Sequence, residues 1–281
     1  MSKLALWSRS LSVGALCASG VYAQSPDPVT PMTPDRVEHY EQTRPWADYV
    51  RREYMVPMRD GVKLYTVVVM KKGVSKDAPI LLSRTPYDAS AQTGRVKSQR
   101  IVDILEVMDA EFVQDGYIRV YQDIRGMHKS EGEWVLNRPL SGPLNDTGID
   151  ESTDAYDTIA WLIEHTPEAN GKVGVIGSSY LGYTALMTLI DPHPALKAVI
   201  AQSPMVDGWM GDDWFHNGAF RVNSLSFPLS QGYHQGDGGG EFALGGGDDY
   251  SRYLEAGSVA DFVQLVGAEH VPGIRKFLEN P

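Results

Sequence analysis

Residues 172–190 read Lys-Val-Gly-Val-Ile-Gly-Ser-Ser-Tyr-Leu-Gly-Tyr-Thr-Ala-Leu-Met-Thr-Leu-Ile, and this stretch decides the fold. Its opening, 172–176, is apolar and β-rich, as a buried strand requires. From Leu181 to Ile190 the pattern is helical. Between them, Gly177-Ser178-Ser179-Tyr180-Leu181-Gly182 must make a sharp turn from strand to helix. A serine in that context is a candidate nucleophile, because the turn lifts its hydroxyl clear of the sheet. Small residues must flank such a turn, and Gly177, two before Ser179, meets that need. The usual glycine two after is absent: Leu181 stands there and Gly182 follows it. The alternative is that Ser178 or Ser179 merely caps the helix. The backbone N–H of Tyr180, at the helix start, is one candidate oxyanion donor.

Outward from this turn, strands and helices alternate. Residues 63–70, 78–83, 117–122 and 196–202 read as strands, and 100–115 and 154–165 as helices. Residues 54–58 lead into an Arg59-Asp60-Gly61 turn. In 100–115 the apolar residues Ile101, Ile104, Leu105, Met108 and Phe112 recur at helical spacing, and Gly116 closes the helix. Alternation of this kind predicts an α/β fold with a mostly parallel sheet. Ligands of such sheets sit at the carboxyl ends of the strands, here in loops 83–89, 123–131 and 177–182. After Ser203 the alternation stops. Residues 205–250 are rich in Gly, Trp, Asp and aromatic residues, and 255–278 reads as short helical pieces. There is no internal repeat.

A serine nucleophile needs a base, and in this fold the chain order is serine, acid, histidine. After Ser179 come His193, His216, His234 and His270. His193 lies in a turn before the next strand, at the wrong end of the sheet. His216 and His234 belong to the Gly/Trp-rich region, and His270 to a helix end. None follows a sheet strand, so all four read as surface or packing histidines.

The 281 residues carry a net charge of −11, with 42% hydrophobic and 22% charged residues. That is globular composition with room for a core. The acidic balance argues against nucleic acid or an anionic membrane as main partner, since both need basic patches. Residues 1–23 have the pattern of a secretory signal: Lys3 and Arg9, an apolar run 11–21, and Val21-Tyr22-Ala23 for cleavage. The run is too short and weakly apolar for a membrane span. The only cysteine, Cys17, falls inside it, and Leu16 is a poor residue before a lipoprotein cysteine. Losing this segment takes the net charge from −11 to −13 and leaves no thiol. The expectation is an exported, periplasmic protein without disulfides. Residues 24–47 carry Pro26, Pro28, Pro31, Pro34 and Pro45, and read as an extended arm. The 245–249 Gly-Gly-Gly-Asp-Asp segment is too isolated to predict calcium binding. No zinc, nucleotide or phosphate motif is present, so no metal or cofactor is expected.

Gly177-Ser178-Ser179-Tyr180-Leu181-Gly182, Pro57-Met58-Arg59-Asp60-Gly61 upstream and Arg84-Thr85-Pro86-Tyr87-Asp88 between resemble the cocaine esterase/glutaryl acylase-type family of serine hydrolases. The stretch 203–221, with Asp212-Asp213-Trp214-Phe215-His216, is most similar to its α-amino-acid ester hydrolases. The resemblance runs from about Glu53 to Pro281, and Gly182 is the family's own glycine. It implies an α/β-hydrolase core (48–213 here), a helical cap beginning near Trp214 (214–281, truncated) and a C-terminal jelly roll beyond the chain. The triad Asp and His would then lie past Pro281, leaving these residues catalytically incomplete.

By the same resemblance Ser179 is the nucleophile. Tyr180, through its N–H, and Tyr87, through its hydroxyl, form the oxyanion hole. Asp213 belongs to a carboxylate cluster that takes the substrate's α-ammonium, which a partly dry pocket must compensate. From the residues alone, Tyr87 could instead be a buried turn aromatic, and Asp212-Asp213 a helix cap. Asp123-Ile124-Arg125-Gly126 and Ser130-Glu131-Gly132 read as structural, shaping the loop beside the oxyanion site. The implied substrates are small α-amino acid esters and β-lactams, and the implied assembly is a homo-oligomer, a tetramer. Rivals are a plain esterase, a glutaryl acylase or an X-Pro dipeptidyl peptidase of the same family, or a non-catalytic truncated product.

Overall fold

The computed structural model describes residues 47–74, 76–207, 210–211, 215–221 and 249–265. The expected signal segment, the arm except Ala47, and Asp212, Asp213, His234 and His270 lie outside the described residues.

Six strands form one sheet: β1 (Tyr49–Pro57), β2 (Lys63–Lys71), β3 (Ala78–Thr85), β4 (Ile118–Asp123), β5 (Ala169–Ser178) and β6 (Leu196–Gln202). Their spatial order is β1-β2-β4-β3-β5-β6. β1–β2 and β2–β4 are antiparallel, while β4–β3, β3–β5 and β5–β6 are parallel. The parallel part therefore holds the carboxyl ends of β3, β4 and β5 side by side.

Both faces of the sheet are covered, which is why β2 tolerates an unbroken valine run. Val68 and Met70 point to one face, with Ile80, Leu82, Ile118 and Val120. That face packs on Ile159 and Leu162 of α4 (Glu151–His165) and Ala185 of α5 (Tyr180–Met187). Val67 and Val69 point to the other face. There they meet α1 (Ala89–Gln92), α2 (Ile101–Ile104) and α3 (Val107–Gln114) through Ala89, Ile101, Ile104, Ala110 and Val113. Burying each such Val, Ile or Leu stabilises the fold by about 1.5–3 kcal/mol. Three layers on a mostly parallel sheet make this an α/β-hydrolase core.

The single helix expected over 100–115 is two helices. Leu105 and Glu106 are extended, with ψ of 163° and 153°, and break it. The break turns Leu105 inward with Ile101 and Ile104, while Ala110 and Val113 reach the same cluster from α3. Met108, which a continuous helix would bury, is 60% exposed. The helix expected from 154 starts earlier, at Glu151, because Asp150 caps it. The Asp150 carboxylate accepts from Ser152 N and Thr153 N, and Thr153 Oγ1 accepts from Asp150 N. This capping box contributes about 1 kcal/mol. α5 ends at Met187, short of Ile190, and Leu189 and Ile190 are exposed.

Beyond β6 a two-stranded hairpin follows, β7 (Phe215–His216) and β8 (Ala219–Phe220), then α6 (Asp249–Ala256) and α7 (Val259–Leu265). Phe215, Phe262 and Val263 pack with Ile124, Met127, Trp134, Tyr180 and Tyr183. The later segments are thus seated on the residues that follow β4 and β5.

Candidate active site

β5 ends at Ser178 and α5 begins at Tyr180, so Ser179 alone makes the turn between them. Its backbone has φ 59° and ψ −121°, a region that costs a non-glycine residue about 1–3 kcal/mol. The surroundings impose it. Ser179 N donates to Gln202 O on the neighbouring strand at 3.0 Å, and Ser179 O accepts from Tyr183 N at 3.0 Å.

The two flanking glycines have different partners. A Cβ on Gly177 would stand 2.1 Å from Leu181 O, so the turn closes on itself there. A Cβ on Gly182 would stand 2.4 Å from Gln202 O and 3.1 Å from Pro204 Cα. Gly182 is therefore the point where the helix touches β6, which explains a second glycine three residues after the serine. Thr184 Oγ1 adds a latch, donating to Arg84 O on β3 at 2.8 Å.

Ser179 is exposed, and its side chain makes no capping hydrogen bond. The capping alternative is thereby removed for Ser179. A strained, exposed serine whose hydroxyl makes no capping hydrogen bond has the geometry that a nucleophile at a strand-to-helix turn requires.

Tyr180 turns its ring into the apolar cluster and is fully buried. Its hydroxyl accepts from Asn137 N at 3.4 Å, and burial raises its pKa, so the phenol stays neutral. Only its backbone is at the turn. As the first residue of α5 it carries its N–H at the positive end of the helix. Tyr87 lies two residues past the end of β3, the strand beside β5. It is half-buried and packs against the cluster that contains Tyr180. The fold thus brings Ser179, Tyr180 and Tyr87 to neighbouring strand ends. Asp213, the expected ammonium ligand, lies outside the described residues.

Two histidines after Ser179 are described. His193 is at the amino end of β6, where its Nδ1 accepts from Ala195 N and its ring meets Tyr156 edge-on at 4.7 Å. His216 is exposed in the hairpin. A cavity of about 190 Å³ lined by Ser83, Arg119, Tyr121, Gly177 and Ser178 opens beside the turn, and Ser179 is not in its lining. The Arg119 guanidinium there is already held by Asp109, Leu81 O and Ser83 Oγ. No cluster of three His, Cys, Asp or Glu able to hold a metal ion occurs among the described residues.

A buried ionic network underlies the site. Arg84 of β3 is fully buried, 2.7 Å from Glu151 and 3.6 Å from Asp154. Arg125 bridges Asp154 at 2.6 Å and Asp60 at 2.7 Å. Burial opposes the Arg125 charge, but the two carboxylates overcome it and raise its pKa. Burial raises the Glu151 pKa, against the pull of Arg84. In the sequence Arg125 reads as structural and Arg84 only as the first residue of the Arg84-Thr85-Pro86-Tyr87-Asp88 motif, although an arginine inside an apolar strand is itself a signal of a buried partner.

A model of the X-Pro dipeptidyl-peptidase (S15) family matches residues 60–241. The cocaine esterase of Rhodococcus sp. (strain MB1 Bresler) is 33% identical over 177 residues, 63% of this chain and 27% of that protein. A solved α-amino acid ester hydrolase superimposes with a TM-score of 0.80 at 51% identity, over 89% of this chain and 41% of that one. An aminopeptidase from the marine sediment archaeon Thaumarchaeota archaeon gives 0.79 at 47% identity, over 87% and 40%. The chain spans 27% of the length of that curated relative and about two fifths of the solved ones.

Proposed function

The chain belongs to the X-Pro dipeptidyl-peptidase (S15) family, and we propose that it forms the nucleophile-bearing part of a serine hydrolase acting on esters of α-amino acids. The observation that carries this is Ser179, exposed and strained at the turn from β5 to α5. Ser179 Oγ attacks the ester carbonyl while a general base takes its proton. The Tyr87 hydroxyl and Tyr180 N–H receive the developing oxyanion, where fixed dipoles act most strongly. The alcohol leaves, an ester to Ser179 remains, and water or an amine releases the acyl group. Neither described histidine after Ser179 is placed to be the base. The described residues therefore supply the nucleophile turn and the proposed oxyanion donors, and the base and its orienting acid are not assigned among them.

The α-amino preference rests on two relatives that are about half identical to this chain. One is named for α-amino acid esters and the other is an aminopeptidase, so both names specify a free α-amino group on the acyl donor. Asp213 is the proposed carboxylate for that ammonium. β-Lactam side chains as acyl donors, a homo-tetramer and export directed by residues 1–23 are part of the same proposal. The cocaine esterase match supports a second reading, an esterase indifferent to the amine.

The test uses the protein with its complete native chain. Rates on an alanine ester and on the matching propionate ester separate the two readings. A strong preference for alanine supports the first, and equal rates support the second. Ser179→Ala abolishes turnover on both; retained activity would remove Ser179 from the mechanism.

A further inference from the structure

Tyr87 sits on a turn whose backbone is fixed at several points, and one of them is unusual. Thr85 Oγ1 accepts from Tyr87 N at 2.9 Å. The Pro86 carbonyl accepts from His128 Nε2 at 2.8 Å. Asp88, in the left-handed region at φ 65°, accepts from Ala91 N at 3.0 Å. The fourth point is Asp123, whose Oδ1 accepts from Ala89 N at 2.6 Å.

Asp123 is the last residue of β4 and pairs in register with Thr85, the last residue of β3. It has no exposed surface, and its Oδ2 has no hydrogen-bond partner among the described residues. Nearby cations are engaged elsewhere. Arg125 is taken by Asp60 and Asp154, and Lys129 lies over the Tyr65 ring with its ammonium 3.3 Å from Ser90 Oγ. A buried carboxyl group with one oxygen unsatisfied is an expensive thing to keep. Its hydrogen bond at 2.6 Å is to the amide two residues after Tyr87, and the Lys129 amide also acts on the carboxyl. Its backbone is anchored in turn, because Asp123 O accepts from Ser130 Oγ, which itself accepts from Tyr65 N.

We propose that Asp123 is a positioning residue of the hydrolytic reaction: through the Ala89 amide it fixes the turn that holds the Tyr87 hydroxyl at the oxyanion. This rests on the role given to Tyr87 above. Asp123 touches neither substrate nor nucleophile, so its removal acts on kcat and not on KM. A small misplacement of a fixed donor lowers the rate by up to about 10²-fold.

The experiment is a double-mutant cycle in the complete protein, with kcat and KM measured for Asp123→Ala, Tyr87→Phe and the pair. The expected result is a fall in kcat of about 10²-fold in Asp123→Ala at unchanged KM. In the Tyr87→Phe background the same change removes little more. Asp123→Asn, which keeps the accepting oxygen, recovers most of kcat. Equal losses in both backgrounds, or no recovery with Asn, overturn the inference and leave the oxyanion role of Tyr87 standing. Full activity in Tyr87→Phe overturns both. If Asp123→Ala does not fold, Asp123→Asn and Asp123→Glu are compared in the same cycle. The inference then requires a kcat loss with Glu, absent in the Tyr87→Phe background, and little loss with Asn.

Discussion

The carbonyl oxygen of Gln202 stands 2.4 Å from where a Cβ on Gly182 would lie. Gln202 also accepts from Ser179 N at 3.0 Å, so the same carbonyl orients the serine and limits the helix behind it. Gly182→Ala must push α5 away from β6. The expected outcome is a loss of about 1–3 kcal/mol in stability, as for other overpacking changes, together with reduced turnover. Urea unfolding and kcat of the complete protein check both, and an unchanged kcat would show that the turn tolerates the displacement.

Asp154 is shared by two buried guanidiniums, Arg125 at 2.6 Å and Arg84 at 3.6 Å. Removing one partner of a buried pair leaves charge uncompensated, so Asp154→Ala is expected to destabilise by about 3–5 kcal/mol. Arg59→Ala, whose pair with Asp157 is partly exposed, is expected to cost under about 1 kcal/mol. Comparable losses in the two variants would contradict the weight given to burial.

Burial pushes the Asp123 carboxyl up to about 7, aided by Asp88 and opposed by the Ala89 amide. The native state therefore holds a proton that the unfolded chain gives up near 3.8. The contribution of this group to stability is fully present below that value and is lost as pH rises through about 7. The slope is at most about 1.4 kcal/mol per pH unit. Asp150 and Asp60 behave oppositely, since their pKa values are lowered and their contribution fades in acid. The measurement is thus a difference: stability of Asp123→Asn minus wild type is expected to rise between about pH 4 and pH 7. A flat difference would mean that Asp123 titrates normally.

Tyr87→Phe removes one proposed oxyanion donor and is expected to lower kcat by about 10²–10³-fold with little change in KM. Steady-state kinetics on the alanine ester decide it, and a KM effect alone would make Tyr87 a binding residue.

Asp213→Asn is expected to slow hydrolysis of α-amino esters far more than that of their desamino counterparts. Paired kcat/KM values check this. Equal losses on the two substrates would remove the proposed ammonium contact.

Much of the fold was legible from patterns of short range. The strand over residues 196–202 has its expected limits, and the turn at Ser179 stands where glycine spacing placed it. The break in 100–115 was not legible, because both pieces send apolar residues to one cluster and a periodicity count sees only their spacing. Gly182 could be read as a glycine of the turn. That it faces Gln202, twenty residues on, depends on β6 lying beside β5. Asp123 read as part of a structural loop, and its unsatisfied oxygen is a matter of burial that no linear pattern contains.

The sequence by itself determined the alternation of strands and helices, the serine at the turn and the shift of character after residue 203. These follow from local periodicity and from the steric demands of one turn. The tertiary structure alone decided which strands are neighbours, that the Ser179 side chain makes no capping hydrogen bond, and that Asp123 reaches the amide next to the Tyr87 turn. Those relations join residues tens of positions apart, and they exist only once the sheet order has brought the ends of β3, β4 and β5 together.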